Sequence, residues 1–184
     1  IDFESSAIVR LRARVAALGE ANADLLAYAR GHSGAVAQIH AAALLALDAS
    51  GFDHLLHVIT QDWVDILAVD AVALALVSGS QGLFAGARGL QLVDAASLSL
   101  ELDHAPAVTL RTVERGAAVF GPAAELIRSE ALIRLPASDP LPAGVLALGA
   151  RRTHNFTGNH GSELLGFLGA IVQRQIRRWL LTQP

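Results

Sequence analysis

The chain has no cysteine and no lysine. The first absence excludes disulfides, thiolate zinc sites and a cysteine nucleophile; the second excludes Schiff-base chemistry and a phosphate-loop lysine. Aromatic residues make up only 5% of the 184 residues and charged residues 17%. Hydrophobic residues reach 53%, yet no unbroken apolar run attains the roughly 18 residues of a membrane-crossing helix. Fourteen arginines face seventeen acidic residues, a net charge of −3. That balance gives no general attraction for nucleic acid, so neither nucleic acid nor membrane is an expected partner. No signal-peptide pattern is visible, and a cytoplasmic bacterial protein is expected, which makes the sequon at Asn155, Phe156 and Thr157 a coincidence.

The most regular feature present is an apolar seven-residue repeat over residues 1–32. Ile8, Val15 and Ala29 share one column with Asn22, while Leu11, Leu18 and Leu25 form the other. β-Branched residues in the first column with leucine in the second favour a parallel two-stranded coiled coil, and a single Asn in the first column fixes register. Residues 1–32 therefore read as a dimerisation helix, with Ile8, Leu11, Val15, Leu18, Asn22 and Leu25 as its interface. The same spacing also describes one amphipathic helix lying on its own domain. Residues 33–184 are long enough to bury a core of their own.

The cluster Gly31, His32, Ser33, Gly34 predicts an end to the first helix and a second helix reaching about Leu47. A third follows, with Ser50 as its N-cap and Phe52, Leu55, Leu56, Ile59, Trp63, Ile66 and Leu67 along one face. At residue 71 the period changes. The unbroken apolar run 71–77 reads as a central strand buried on both faces. Residues 88–93 and 107–113 are further strands, with residues 79–89 otherwise a loop and a short helix or turn over 95–102. By strand alternation Val108 and Leu110 point one way, Thr109 and Arg111 the other. Gly121 and Pro122 open a short helix, strands 130–135 and 144–150 form a hairpin, and a last helix runs to Leu181. Consecutive strands with short connections give an α+β fold on an antiparallel sheet.

The stretch Gly144-Val-Leu-Ala-Leu-Gly-Ala-Arg151, then Asn155-Phe156, then Gly161-Ser-Glu-Leu-Leu-Gly-Phe-Leu168 resembles the bacterial domain-of-unknown-function family 484. Residues 129–135 resemble that family's preceding strand, and Phe120-Gly121 its preceding turn. The resemblance covers essentially the whole chain and departs from the family around Thr153-His154-Asn155 and Asn159-His160. It implies a GAF-like twisted antiparallel sheet of about 5–6 strands with helices packed on one face and a ligand-sized cavity on the other, preceded by the long coiled-coil-like helix. It names no cofactor.

His54 and His57 lie three apart, but no third ligand stands at a known metal spacing. There is no Gly-x-Ser-x-Gly elbow, and Gly82, Gly86 and Gly89 form no phosphate fingerprint, so no enzyme is expected. Arg111 and Arg134 each sit in a strand between apolar neighbours, where a guanidinium meets solvent, a carboxylate such as Glu114 or Glu130, or an anionic ligand. In the last case Arg88, Phe120 and Ser129 line the same pocket, beneath loops 79–89 and 114–122. The expected function is a non-enzymatic GAF-like regulatory or small-molecule-binding module acting as a homodimer. Its rival is a dimeric adaptor with a closed, empty cavity and a protein partner.

Overall fold

The computed structural model describes residues 3–78, 81–86, 89–94, 106–156 and 161–182. It divides into two compact units, Ile1–Ala37 and Gln38–Pro184.

Helix α1 runs without a break over Phe3–Leu47, which overturns the expected stop at Gly31 to Gly34. Each glycine costs a helix about 1 kcal/mol relative to alanine but removes no backbone donor. No proline occurs in this stretch, so the hydrogen-bond ladder continues. Within the first unit, residues 12–23 are exposed throughout, Val15 and Leu18 among them.

The next helical path comprises α2 (Phe52–His57), a π-helical turn (Val58–Asp62) and α3 (Trp63–Ile66). Its cap is not Ser50. Gly51 holds that position in extended backbone with no side-chain cap, and His54 reaches back so that its Nδ1 accepts the Ser50 N–H at 3.1 Å. Leu55, Leu56, Ile59 and Trp63 are buried as their spacing predicts. The Trp63 indole donates to the Ala42 carbonyl at 3.0 Å, tying α3 to α1.

Six strands follow: β1 (Ala71–Ser78), β2 (Gln81–Gly86), β3 (Gly89–Asp94), β4 (Val108–Thr112), β5 (Ser129–Leu135) and β6 (Ala143–Ala150). They form one antiparallel sheet in the order β3-β2-β1-β6-β5-β4, with the apolar β1 and β6 at its centre. β2 occupies what reads in sequence as loop 79–89. It is short and has glycine near both ends, so pairing with β1 and β3, rather than its own pattern, makes it a strand. The expected helix or turn at 95–102 lies outside the described residues.

Alternation divides the sheet residues into two faces. Val72, Leu74, Leu76, Ile133, Leu135, Leu146 and Leu148 join Ile39, Ala42 and Ala46 of α1, the α2–α3 path, and Leu168, Val172 and Ile176 of the last helix, α4 (Ser162–Thr182). The opposite face is covered by a 3₁₀ segment, Ala118–Leu126. There Ala73, Ala75, Leu132, Val145 and Ala147 meet Ala117, Val119, Phe120, Ala124 and Ile127. The centre of this face is thus a second packed core, where the family resemblance implies a ligand-sized cavity.

Candidate functional site

Residues 116–127 bridge the face opposite the helices. The bridge turns at Gly121, whose φ of 56° and ψ of −131° suit glycine, and Pro122 follows with its φ preset for a helical turn. Two glycines let it approach the sheet. A Cβ on Gly149 would stand 2.6 Å from Ile127 Cδ1 and 3.0 Å from Phe120 Cε1; one on Gly116 would stand 2.8 Å from Ile127 Cβ. Ile127 and the phenyl ring of Phe120 therefore both rest over Gly149, Ile127 the nearer.

Glu130 anchors the start of the bridge. It alternates with Leu132 onto this face of β5, and its side chain is fully buried. Arg111 stands opposite it on β4. One carboxylate oxygen accepts the Arg111 Nε–H at 2.7 Å and Nη2 at 2.6 Å, while the other accepts the Ala117 N–H at 2.7 Å. A buried carboxylate needs such partners, and this one fixes both the arginine and the bridge. Of the two acids expected to meet Arg111, Glu130 takes it.

The Arg111 side chain remains 45% exposed and walls a cleft of about 600 Å³ with Arg115, Gly116, Ala117, Ala118, Gly121 and Ala124. Arg115 pairs with Glu125 at 3.0 Å across the surface. A second cleft, of about 320 Å³, opens on the other flank of the bridge, where Phe120 and Ala123 meet Thr60, Gln61, Asp70, Ala71 and Ala73. The register makes one cross-strand row, Arg111–Glu130–Gly149–Ala71, with Arg111 at the first cleft, Ala71 at the second, and Ile127 and Phe120 packed over Gly149 between them.

The expected pocket residues are not all brought together. Arg111 lines the larger cleft and Phe120 the smaller. Arg134 shares their face by alternation, is exposed, and lines neither. Ser129 alternates onto the helix-covered face, where its hydroxyl donates to the Arg152 carbonyl, so it is removed from the pocket set. Arg88 lies outside the described residues, as do the side chains of Ile8, Leu11 and Leu25. Among the described residues no three His, Asp or Glu side chains could hold a metal ion, and no helix is long and apolar enough to cross a membrane. What sequence reasoning underweighted is Glu130: an acid amid the apolar residues of β5 is itself a sign of a buried, partnered charge.

The family model described as protein of unknown function, DUF484, matches residues 1–181. No curated protein matches the chain in sequence. Solved structures do match in fold. The GAF domain of nlh2 from A. aeolicus superposes with a TM-score of 0.54 at 8% identity, covering 80% of this chain and 98% of that one. The GAF domain of a phosphoenolpyruvate-protein phosphotransferase from Acinetobacter gives 0.52 at 12% identity, covering 80% and 95%. A free methionine-R-sulfoxide reductase from Neisseria meningitidis, solved with its substrate, gives 0.53 at 15% identity, covering 79% and 89%. The fold is thus GAF-like.

Proposed function

The chain belongs to the DUF484 family, and on that footing we propose that it is a non-enzymatic GAF-like regulatory module, a homodimer that binds a small anionic molecule in the cleft walled by Arg111. The observation that carries this reading is the pairing of a half-exposed guanidinium with a fully buried carboxylate at the wall of a cleft of about 600 Å³. Clefts of roughly 300–1,000 Å³ with a few fixed polar groups are the usual size of small-molecule sites. Glu130 holds the guanidinium plane in place, which lowers the entropy lost when an oxyanion meets it. The reductase of similar fold is an enzyme. In this chain a thiolate route to such a reaction has no nucleophile among 184 residues without cysteine.

Residues 1–32 serve in this reading as the dimerisation helix and residues 33–184 as the sensory domain. A ligand then acts by binding one arrangement of the pair better than another. The adaptor reading draws support from one feature, the closed centre of the sheet face beneath Phe120 and Ile127. Native mass spectrometry of the purified chain separates the two. A small molecule retained on the dimer supports the module, whereas an empty dimer that captures a protein partner supports the adaptor. In titrations with nucleotides and other small anions, Arg111→Ala is expected to weaken binding about tenfold or more, a loss of about 1.4 kcal/mol, while Arg134→Ala leaves it unchanged. Equal binding by both variants and the parent removes the site.

A further inference from the structure

We propose that the outer side of the helical layer is a self-complementary docking surface for a second copy of this chain, in which the acidic α2–α3 path of each copy lies against the basic α4 of the other. The inference rests on the homodimer reading above and adds a second contact, outside residues 1–32, with the charges that orient it.

Three observations carry it. The first is a partition of charge along the chain. No arginine or lysine occurs between Arg30 and Arg88, a stretch that holds Asp48, Asp53, Asp62, Asp65 and Asp70. From residue 164 to the end the signs reverse, with Arg174, Arg177 and Arg178 and no acid. Asp70 is engaged by Arg151, and Asp62 faces His57 at 3.9 Å. Asp48, Asp53 and Asp65 are exposed, and so are the three arginines. At 3.6 residues per turn the arginines fall within an arc of about 100°, on the side of α4 away from the buried Val172 and Ile176.

The second is where these elements lie. Both pack on the same side of the sheet, the path over β1 and α4 over β4 and β5. Residues 38–47 of α1 touch each of them: Ala42 accepts the Trp63 indole N–H, and Ala46 and Leu47 accept the Gln175 amide. A two-fold axis running between the path and α4 exchanges them, so that each acidic element faces a basic one. An axis running across both would set like charges together.

The third is the apolar surface on the joining segment. Leu44 and Leu47 are 62% and 45% exposed. An apolar centre flanked by charges is the anatomy of a protein interface, and opposite charges at its rim fix orientation more than affinity. Two copies already tethered through residues 1–32 meet at a roughly millimolar effective concentration, where a weak contact forms.

The experiment mixes two full-length variants and reads the dimers by native mass spectrometry. One carries Asp48→Arg, Asp53→Arg and Asp65→Arg, the other Arg174→Glu, Arg177→Glu and Arg178→Glu. In each variant alone the facing elements carry one sign; in the mixture they are opposite. The mixed dimer is expected to be favoured about tenfold over chance, and added salt to erase the preference. Equal reversals elsewhere, Glu114→Arg, Glu125→Arg and Asp139→Arg mixed with Arg134→Glu, Arg151→Glu and Arg152→Glu, are expected to give the chance mixture, because position and not net charge decides. Where a triple variant fails to fold, Asp53→Arg mixed with Arg177→Glu is expected to show a preference of about twofold. A chance mixture from the first pair overturns the docking surface and leaves the homodimer standing, as does an equal preference in the second pair. Monomers throughout at micromolar concentration, the parent chain included, overturn the homodimer reading and this surface with it.

Discussion

Gln175 of α4 donates through its Nε2 to the main-chain oxygens of Ala46 and Leu47, at 2.9 and 3.1 Å, and is only 3% exposed. The last carbonyls of any helix lack intrahelical donors, and here a buried amide from a helix 128 residues on supplies one. Gln175→Leu preserves the volume and removes the donor, leaving the Leu47 carbonyl short of a partner. A loss of about 1–3 kcal/mol in urea denaturation is expected. An unchanged midpoint and slope would show that water replaces the amide there.

The two arginine pairs at the larger cleft differ in burial, and their stabilities are expected to differ with it. Arg115 and Glu125 are 68% and 66% exposed, so Arg115→Ala costs about 0–1 kcal/mol. Arg111→Ala leaves the wholly buried Glu130 with the Ala117 N–H as partner, and a fully buried pair broken this way costs roughly 3–5 kcal/mol. Because Arg111 is itself 45% exposed, water reaches the vacated side and about 2–3 kcal/mol is the expected loss. Urea melts of both variants test the ranking, and equal losses would refute it.

Much of this architecture is legible in the residues. The apolar run of β1, the glycine-bounded β6 and the stripe on α4 each carry the period of their element, because burial on a sheet or helix demands it. β2 is less legible, since six residues with glycine near both ends carry little strand pattern of their own, and pairing with the adjoining β1 and β3 makes the strand. The face of Ser129 was open to derivation: it differs in parity from Glu130, and alternation alone separates it from Arg111's partner. The packing of the bridge on the sheet was beyond reach, because nothing local to Phe120 or Ile127 says that Gly149 lies beneath them.

Glycine substitutions check the course of α1 against the crowding of β6. Around Gly34 nothing lies within 4 Å of a built Cβ, so Gly34→Ala is expected to raise helix content in far-UV circular dichroism and to stabilise by about 0.5–1 kcal/mol. On β6 the same change has the opposite sign. A Cβ on Gly144 would meet the main-chain oxygen of Ala75 at 2.5 Å and Leu76 Cδ2 at 2.7 Å. Backbone must shift to admit it, and a loss of about 1–3 kcal/mol in a urea melt is expected. A helix that ends at Gly31 would instead leave Gly34→Ala without effect on the dichroism.

The proposed dimer rests on Val15 and Leu18, which are 64% and 65% exposed in the single chain. A long helix with no partner draws little from propensity alone, because helical stability in proteins comes chiefly from packing an apolar face. In the proposed dimer a second copy of residues 1–32 would bury that face, with Asn22 opposite its mate. Sedimentation velocity at micromolar concentration is expected to give a dimer for the parent chain and a monomer for the double variant Val15→Glu, Leu18→Glu, whose like charges would meet in the seam. Asn22→Leu is expected to tighten association while relaxing strand number, seen as higher oligomers beside the dimer. A parent chain that sediments as a monomer, unaltered by the glutamates, would place the apolar column against its own molecule.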